Sequence, residues 1–561
     1  MSGSTISEQL ERIAELLSGA AVPGLQLERP RNPEHGDLAT NIALVLAKRL
    51  NKPPREVAQT VIQKLDLPAA GMKSAEIAGP GFINFRQAPG LIQSGLTDIL
   101  AADDGYGRVQ AEAGRRVMVE FVSANPTGPL HVAHGRGAAL GDAIASLLEH
   151  TGHDVTREFY VNDAGVQMVR LGESLDARWR ALHGEDVQIP EGGYHGAYLK
   201  DLAAEVNQVA GDHLAQLTAE DRIQYLRDWA AERLRLQQDA DLRQFGVIFD
   251  SYYFETRLYA ENKNEETLQD LKTRGLTYEQ DGALWLRTST FGDDKDRVLV
   301  KSDGTYTYFL PDLAYHRDKA RRGFDHVINI WGADHHGYVP RIKAGLAALG
   351  YTDFLDVEIV QMVRLMRGGA EVKFSKRAGE FVSLRELYEE TGVDVARYFF
   401  LMRRGDTQML FDLDLALDQS EKNPVYKVQY AHARMMSIFR KAEVSPDAVA
   451  PNGARLELLE HSTEVELIKQ LSIYPQVVER AAEARAPHLI CDYLETTAGM
   501  VNSWYHAGNP NRNPALAVLV NDTPLRMARL ALARAIQIVL RNGLNLLGLT
   551  APDRMLREES I

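Results

Sequence analysis

One cysteine among 561 residues, Cys491, rules out an intrachain disulfide and a cysteine-rich zinc knuckle, and it suits a reducing compartment. Proline and glycine are modest, at 22 and 44, which excludes a collagenous chain and a low-complexity disordered one. No stretch approaches about 18 uninterrupted apolar residues. Met1 to Glu8 holds no basic start leading into an apolar run. A chain that is neither secreted nor membrane-spanning is therefore expected, with the cytoplasm as its compartment. Positive charge is also short, since 63 Lys and Arg against 77 Asp and Glu give a net −14, which alone argues against a nucleic-acid partner. The shortfall is uneven. From Glu421 onward 16 basic residues meet 15 acidic ones, a net of +1, so the acidity lies upstream.

What is present is ordinary globular composition, 45% hydrophobic and 25% charged. At this length about three to four domains are expected. Residues 1–110 open with helical period from Ile6 to Leu17, continue through Leu38 to Leu50 and end on the strand-like Gly81 to Phe85, which reads as a small α+β domain. Arg116 to Val122 is β-branched and aromatic. The Pro/Gly loop Asn125 to Pro129, a helical stretch from Val132 to Glu149 and a strand at Val155 to Val161 follow it. Strand, loop, helix, strand is the unit of a doubly wound parallel sheet, whose ligands bind beyond the strands' carboxyl ends. Helix-period sequence from Ala164 to Gln244 interrupts this unit, and strand-like pieces return at Ala283 to Leu286, Val298 to Val300 and Val327 to Trp331. The pattern predicts an α/β multidomain chain in three parts. These are an N-terminal domain at 1–110, a Rossmann-like catalytic sheet at 111–420 with an insertion at about 164–280 between two half-sheets, and a helical domain at 421–561.

Two segments carry chemistry. The first, Asn125 to Arg136, places His131 and His134 on a strand-to-helix turn. The unpaired N–H groups and positive end of a helix start, together with two imidazoles, suit a polyphosphate. An ordinary turn with two satisfied histidines fits the same letters, and so does a metal pair at i, i+3. A zinc site needs a third ligand that cannot be identified, so no metal centre is expected. The second segment, Arg367 to Gly379, clusters Lys373, Lys376 and Arg377 between glycines, as suits a phosphate clamp that changes shape; a solvated basic turn is the competing reading.

Taken together, His131-Val132-Ala133-His134 and Lys373-Phe374-Ser375-Lys376-Arg377 resemble the paired ATP motifs of class I aminoacyl-tRNA synthetases. Val119 to Pro126, Trp331 to Tyr338 and Asn423 to Arg434 narrow the resemblance to the arginyl-tRNA synthetases. So do Gly36 to Asn41 and Gly79 to Phe85, which are similar to that family's extra domain contacting the corner of the tRNA. Two departures stand out: Ala133 replaces the usual glycine, and Phe374 replaces the common methionine.

The resemblance implies ligation of L-arginine to its tRNA through arginyl-adenylate, transfer to the 2′-hydroxyl of the terminal adenosine, and activation that waits for bound tRNA. Gly128, Pro129, His131, His134 and Lys376 are the expected ATP contacts, with Lys373 joining the catalytic group and Mg²⁺ arriving with ATP. A guanidinium needs carboxylates able to accept forked hydrogen bonds, preferably beside an aromatic face. By resemblance Glu120 and Asp312 accept from it, Tyr308 lines the pocket, and Asn125 and Asp334 hold the amino acid's backbone groups. A helix N-cap for Asp312, a structural ion pair for Glu120 and core packing for Tyr308 are the ordinary alternatives. In the last helix Arg526, Arg534 and Arg541 project within about 80° of one another, opposite Leu525, Leu532, Ile536 and Val539. With Tyr430 and Arg434 they are the expected tRNA contacts, against a merely solvated basic face. A monomer is expected. The competing functions are another class I synthetase or small nucleotidyltransferase, and a tRNA-binding paralogue without catalysis.

Overall fold

The computed structural model describes residues 5–30, 32–109, 114–372, 382–450, 453–509 and 511–555. By its internal contacts the chain divides into two compact units. One comprises Met1–Tyr106, Met435–Ile473 and Gly499–Val539; the other comprises Gly107–Arg434, Tyr474–Ala498 and Leu540–Ile561.

In the first unit, α1 (Ile6–Ser18) starts on a capping box between Thr5 and Glu8 and ends on Gly19 in the left-handed region. Strands β1 (Leu27–Glu28) and β2 (Leu38–Thr40) follow, then α2 (Ile42–Leu50), α3 (Pro54–Lys64), β3 (Met72–Ala78), β4 (Phe82–Gln87) and α4 (Pro89–Ala102). The strands form an antiparallel sheet in the order β1-β2-β4-β3. Its core gathers Ile6, Leu10, Ile13, Ile42, Leu46, Val57, Val61, Ile83 and Phe85. The stretch Leu38 to Leu50 is therefore half strand: Leu38, Ala39 and Thr40 pair with Phe85, Asn84 and Ile83, and the helix begins only after Asn41. Gly36 permits that approach, since at φ +104° a Cβ there would meet the Phe85 carbonyl oxygen at 2.6 Å.

The second unit is built on β5 (Arg116–Glu120), α5 (Val132–His150) and β6 (Asp154–Val161). Next come α6 (Val166–Leu182), α7 (Tyr198–Leu214) and α8 (Ala219–Gln244), which share a core of their own around Met168, Leu175, Trp179, Leu202, Val206, Leu226 and Leu234. After β7 (Ser251–Phe254), α9 (Thr256–Ala260) and α10 (Lys263–Thr273), three short strands follow: β8 (Thr277–Gln280), β9 (Ala283–Leu286) and β10 (Arg297–Val300). Two of these, read from sequence as returning strands of the parallel sheet, instead form a separate antiparallel sheet in the order β10-β9-β8. The cause is local: Asp281 and Gly282 at φ +52° and +75° close a tight β8–β9 hairpin that no parallel strand could use.

The strands that do return to the main sheet are β11 (His326–Gly332), after α11 (Phe309–Arg321), and β12 (Leu355–Val360), after α12 (Val339–Ala348). All pairings in the order β12-β11-β5-β6-β7 are parallel. The order reverses between β5 and β11, so the ligand crevice of a doubly wound sheet is expected at the carboxyl ends of those two strands. Val117, Met118 and Val119 are buried on both faces, and α5 lies so close to the sheet that a Cβ at Gly141 would stand 2.3 Å from the Phe121 ring. Beyond the sheet come β13 (Val363–Arg367), β14 (Ala370–Glu371), α13 (Leu384–Thr391), α14 (Val393–Leu401), β15 (Met409–Asp412) and α15 (Leu413–Leu417). The C-terminal segment is helical as expected: α16 (Pro424–Ala442), α17 (Ser462–Ser472), α18 (Tyr474–Glu483), α19 (His488–Ala507) and α20 (Thr523–Leu546).

Candidate active site

β5 ends at Glu120 because Val122 and Ser123 take φ of +65° and +42°, a conformation that a β-branched residue adopts only when its surroundings force it. The Ser123 hydroxyl supplies much of that restraint, donating to Glu120 Oε1 at 3.0 Å and accepting from the Tyr160 N–H at 3.2 Å. The loop then runs through Asn125 to Leu130 into α5, with His131 as N-cap. The His131 N–H donates to His134 Nδ1 at 3.2 Å, and the two rings stack with centroids 3.7 Å apart. Burial lowers the pKa of His131. Burial and then the neighbouring His131 push His134 down to about 3, so both imidazoles are neutral near pH 7.

The expected lysine clamp, Lys373 and Lys376, lies outside the described residues. Its downstream flank is described, and it abuts the histidines. His131 bridges Ser383, the Val132 N–H donates to the Val382 carbonyl at 3.3 Å, and the Leu384 N–H donates to the Leu130 carbonyl at 2.8 Å. From the other side Arg136, fully buried on α5, donates to the carbonyls of Gln361, Arg404 and Thr407 at 2.8–2.9 Å. Thus the segments on both sides of β13 and β14 are tied to the histidine helix.

Asp312 lies in the first turn of α11, which runs into β11, so it sits at the carboxyl end of the sheet with Glu120. Tyr338 Oη donates to Asp312 Oδ2 at 2.5 Å. Burial, with Glu255 and Glu120 nearby, raises the Asp312 carboxyl to about 7 against the opposing pull of Tyr338 and Lys319. The tyrosine touching Asp312 is therefore Tyr338. Tyr308 stands 81% exposed at the start of α11 and shares with Tyr338 and Arg341 a recess of about 230 Å³.

Glu120 is 6% exposed and already has a cation: Lys319 Nζ, wholly buried, donates to its Oε2 at 2.5 Å and to Asn329 Oδ1 at 3.2 Å. The ordinary ion-pair reading of Glu120 is thus realised. Asp334 is exposed and pairs with its neighbour His335 at 3.4 Å. Sequence reasoning missed Glu255, between β7 and α9. It is buried, it accepts from the Tyr160 hydroxyl, and its pKa is raised by burial first and then by Asp163. No motif marks Glu255; only the parallel pairing of β7 with β6 brings it to Asp312.

In the C-terminal segment, α16 stacks Tyr426 on Tyr430 at 5.8 Å, and the Arg434 guanidinium lies 4.7 Å over the Tyr430 ring with 8% of the residue exposed. On α20 Arg526 and Arg541 are half-buried. Arg534 does not join an outward basic face. It is 5% exposed and donates to Asp103 and Asp447 at 2.9 Å each. The helix is buried around most of its circumference, Leu530, Leu532, Ile536 and Val539 included, so its periodicity marked a core, and Arg529 and Arg534 satisfy internal acceptors.

Three family models match in sequence order: the arginyl tRNA synthetase N-terminal domain over residues 4–87, the class I (R) tRNA synthetase catalytic domain over 95–410, and the DALR anticodon binding domain over 428–555. Among curated relatives, an arginine–tRNA ligase of Geobacillus kaustophilus is 47% identical over 97% of this chain and 96% of its own. One from Syntrophotalea carbinolica is 48% identical over 96% of each. The crystal structure of Thermus thermophilus arginyl-tRNA synthetase superposes with a TM-score of 0.77 at 25% identity, covering 98% of this chain and 99% of that one. With catalytic-domain likeness over more than half its length and near-half identity to full-length relatives, the chain belongs to the arginyl-tRNA synthetase family.

Proposed function

We propose that this chain activates L-arginine with ATP and transfers it to the 2′-hydroxyl of the terminal adenosine of its tRNA, for protein synthesis. One observation carries the site assignment: the flank of the Lys373–Lys376 segment is bridged to His131, at the same end of the sheet where Asp312, Glu255 and Glu120 converge. An arginine carboxylate oxygen attacks the α-phosphorus, the bond to the β-bridging oxygen breaks, and pyrophosphate leaves. The ribose hydroxyl oxygen then attacks the activated carbonyl carbon, the bond to the phosphate oxygen breaks, and AMP departs while the hydroxyl proton passes to the phosphate or to water. His131 and His134, as neutral donors at the start of α5, stabilise charge on the phosphates with the Gly128–Pro129 loop, and Lys373 and Lys376 close on the departing pyrophosphate. Mg²⁺ comes with the triphosphate.

In the pocket, Asp312 and Glu255 accept from the guanidinium. Glu120, already held by Lys319, orders the wall, and Tyr308 covers the mouth. Asn125 and Asp334 take the amino acid's backbone groups. Within this division of labour residues 1–110 and 421–561 serve the tRNA, with Tyr430, Arg434, Arg526 and Arg541 as contacts. The enzyme works as a cytoplasmic monomer, and among the described residues no helix is long and apolar enough to cross a membrane. Arginine-dependent exchange of pyrophosphate into ATP, with and without tRNA, tests this. Exchange with arginine and tRNA is expected; none in either case, with tRNA still bound, refutes it.

A further inference from the structure

The loop from Asn125 to Gly128 has little means of holding its own shape. Pro126 and Pro129 lack N–H groups, Gly128 has no side chain, and the only backbone bond within the stretch joins the Thr127 N–H to the Asn125 carbonyl at 2.8 Å. The missing restraints come from the insertion, through one side chain on each of α6, α7 and α8. Gln238 of α8, 2% exposed, donates its amide to the carbonyls of Asn125 at 3.1 Å and Gly128 at 2.8 Å. Tyr198 of α7 donates its hydroxyl to the Thr127 carbonyl at 2.5 Å, and Gln167 of α6 accepts from the Asn125 side-chain amide at 2.5 Å. These side chains do not swing freely, because Tyr198 packs on the insertion's own core and Gln238 is enclosed.

We propose that Gln238 and Tyr198 are positioning residues for ATP, and that the α6–α8 insertion acts as a brace fixing the peptide orientations of the phosphate loop. A carbonyl turned toward a triphosphate repels it, whereas a carbonyl engaged by an outside donor is held away; for the Thr127–Gly128 peptide this leaves the Gly128 N–H to the anion, and for the Gly128–Pro129 peptide, which has no N–H, it removes the repulsion alone. Gly128 is where a peptide flips at least cost, and both of its flanking peptides are tied: the Thr127 carbonyl by Tyr198 and the Gly128 carbonyl by Gln238. Neither residue touches the reacting atoms. This inference rests on the reading of the loop as the ATP site, so ATP binding is measured independently of amino-acid activation.

The test uses the full chain with Tyr198→Phe, Gln238→Met and Gln238→Glu. ATP affinity is read by titration calorimetry, and kcat and KM for ATP and for arginine by exchange in the presence of tRNA. Tyr198→Phe lowers kcat/KM for ATP about tenfold, the loss of one oriented hydrogen bond, and Gln238→Met, which removes two, lowers it at least as much. For Tyr198→Phe the KM for arginine and the thermal midpoint stay near those of the parent. Gln238→Glu is worse than Gln238→Met, because its carboxylate faces two carbonyls with no donor, an ordering that packing alone would not produce. Parent-like kcat/KM and ATP affinity in Tyr198→Phe and Gln238→Met, or losses that only track the thermal midpoint, overturn the brace. A parent that binds ATP without exchanging refutes the arginine reading, and the brace is then judged on ATP affinity. A parent that binds no ATP refutes both.

Discussion

Replacing Asp312 by Asn should move stability and function in opposite directions. In the unliganded fold the carboxyl is raised from its ordinary 3.8 to about 7, first by burial and then by Glu255 and Glu120. A displacement of that size corresponds to an upper limit of about 4 kcal/mol disfavouring the ionised form. Because the folded-state value lies above the unfolded one, the contribution to stability is full below about pH 4 and is lost as the pH rises through about 7. Asparagine keeps an acceptor for the Tyr338 hydroxyl but carries no charge. The unfolding midpoint of Asp312→Asn should therefore exceed that of the parent at pH 8 and converge with it near pH 4. Arginine should lose its ionised acceptor in the same variant, a charge-assisted bond worth about 3 kcal/mol, or roughly 100-fold in kcat/KM. Scanning calorimetry across pH 4–8 with and without arginine, beside exchange assays at pH 8, reads both effects. Parallel midpoint profiles for parent and variant, or arginine-dependent exchange surviving in Asp312→Asn, would refute the reasoning.

His134→Asn should lower the exchange rate at saturating arginine about 100-fold. With the His134 ring held neutral down to about pH 3, a rate inflection between pH 5 and 8 that vanishes in this variant would contradict the assignment. Arg136→Met leaves three carbonyls without their donor and should cost about 3 kcal/mol in urea unfolding, with Arg136→Lys recovering part of it; an unchanged midpoint would show the tether to be idle. Arg534→Leu should destabilise by about 1–3 kcal/mol while leaving tRNA affinity and its salt dependence as they were. A salt slope reduced by about one unit would return Arg534 to the RNA surface.

The sequence by itself determined the parallel-sheet unit from Arg116 to Val161, the two histidines at its turn and the helical character of the C-terminal segment, because each is written in local period and turn chemistry. Asp312 entered by another route, as one residue of a string that resembles a known family, since taken singly its letters fit a helix N-cap as well. Pairing over long separations was decided only by the tertiary structure. Lys319 reaches Glu120 across 199 residues and pairs with it, and Glu255 arrives at Asp312 through the β6–β7 ladder. Gln238 reaches the Gly128 carbonyl from 110 residues downstream. Arg534 had the spacing of a surface residue, yet it turned inward because Asp103 and Asp447 offered a buried guanidinium its acceptors. Periodicity says which residues share a face. Burial, and the partner waiting there, decide whether that face is a core, a pocket wall or a surface.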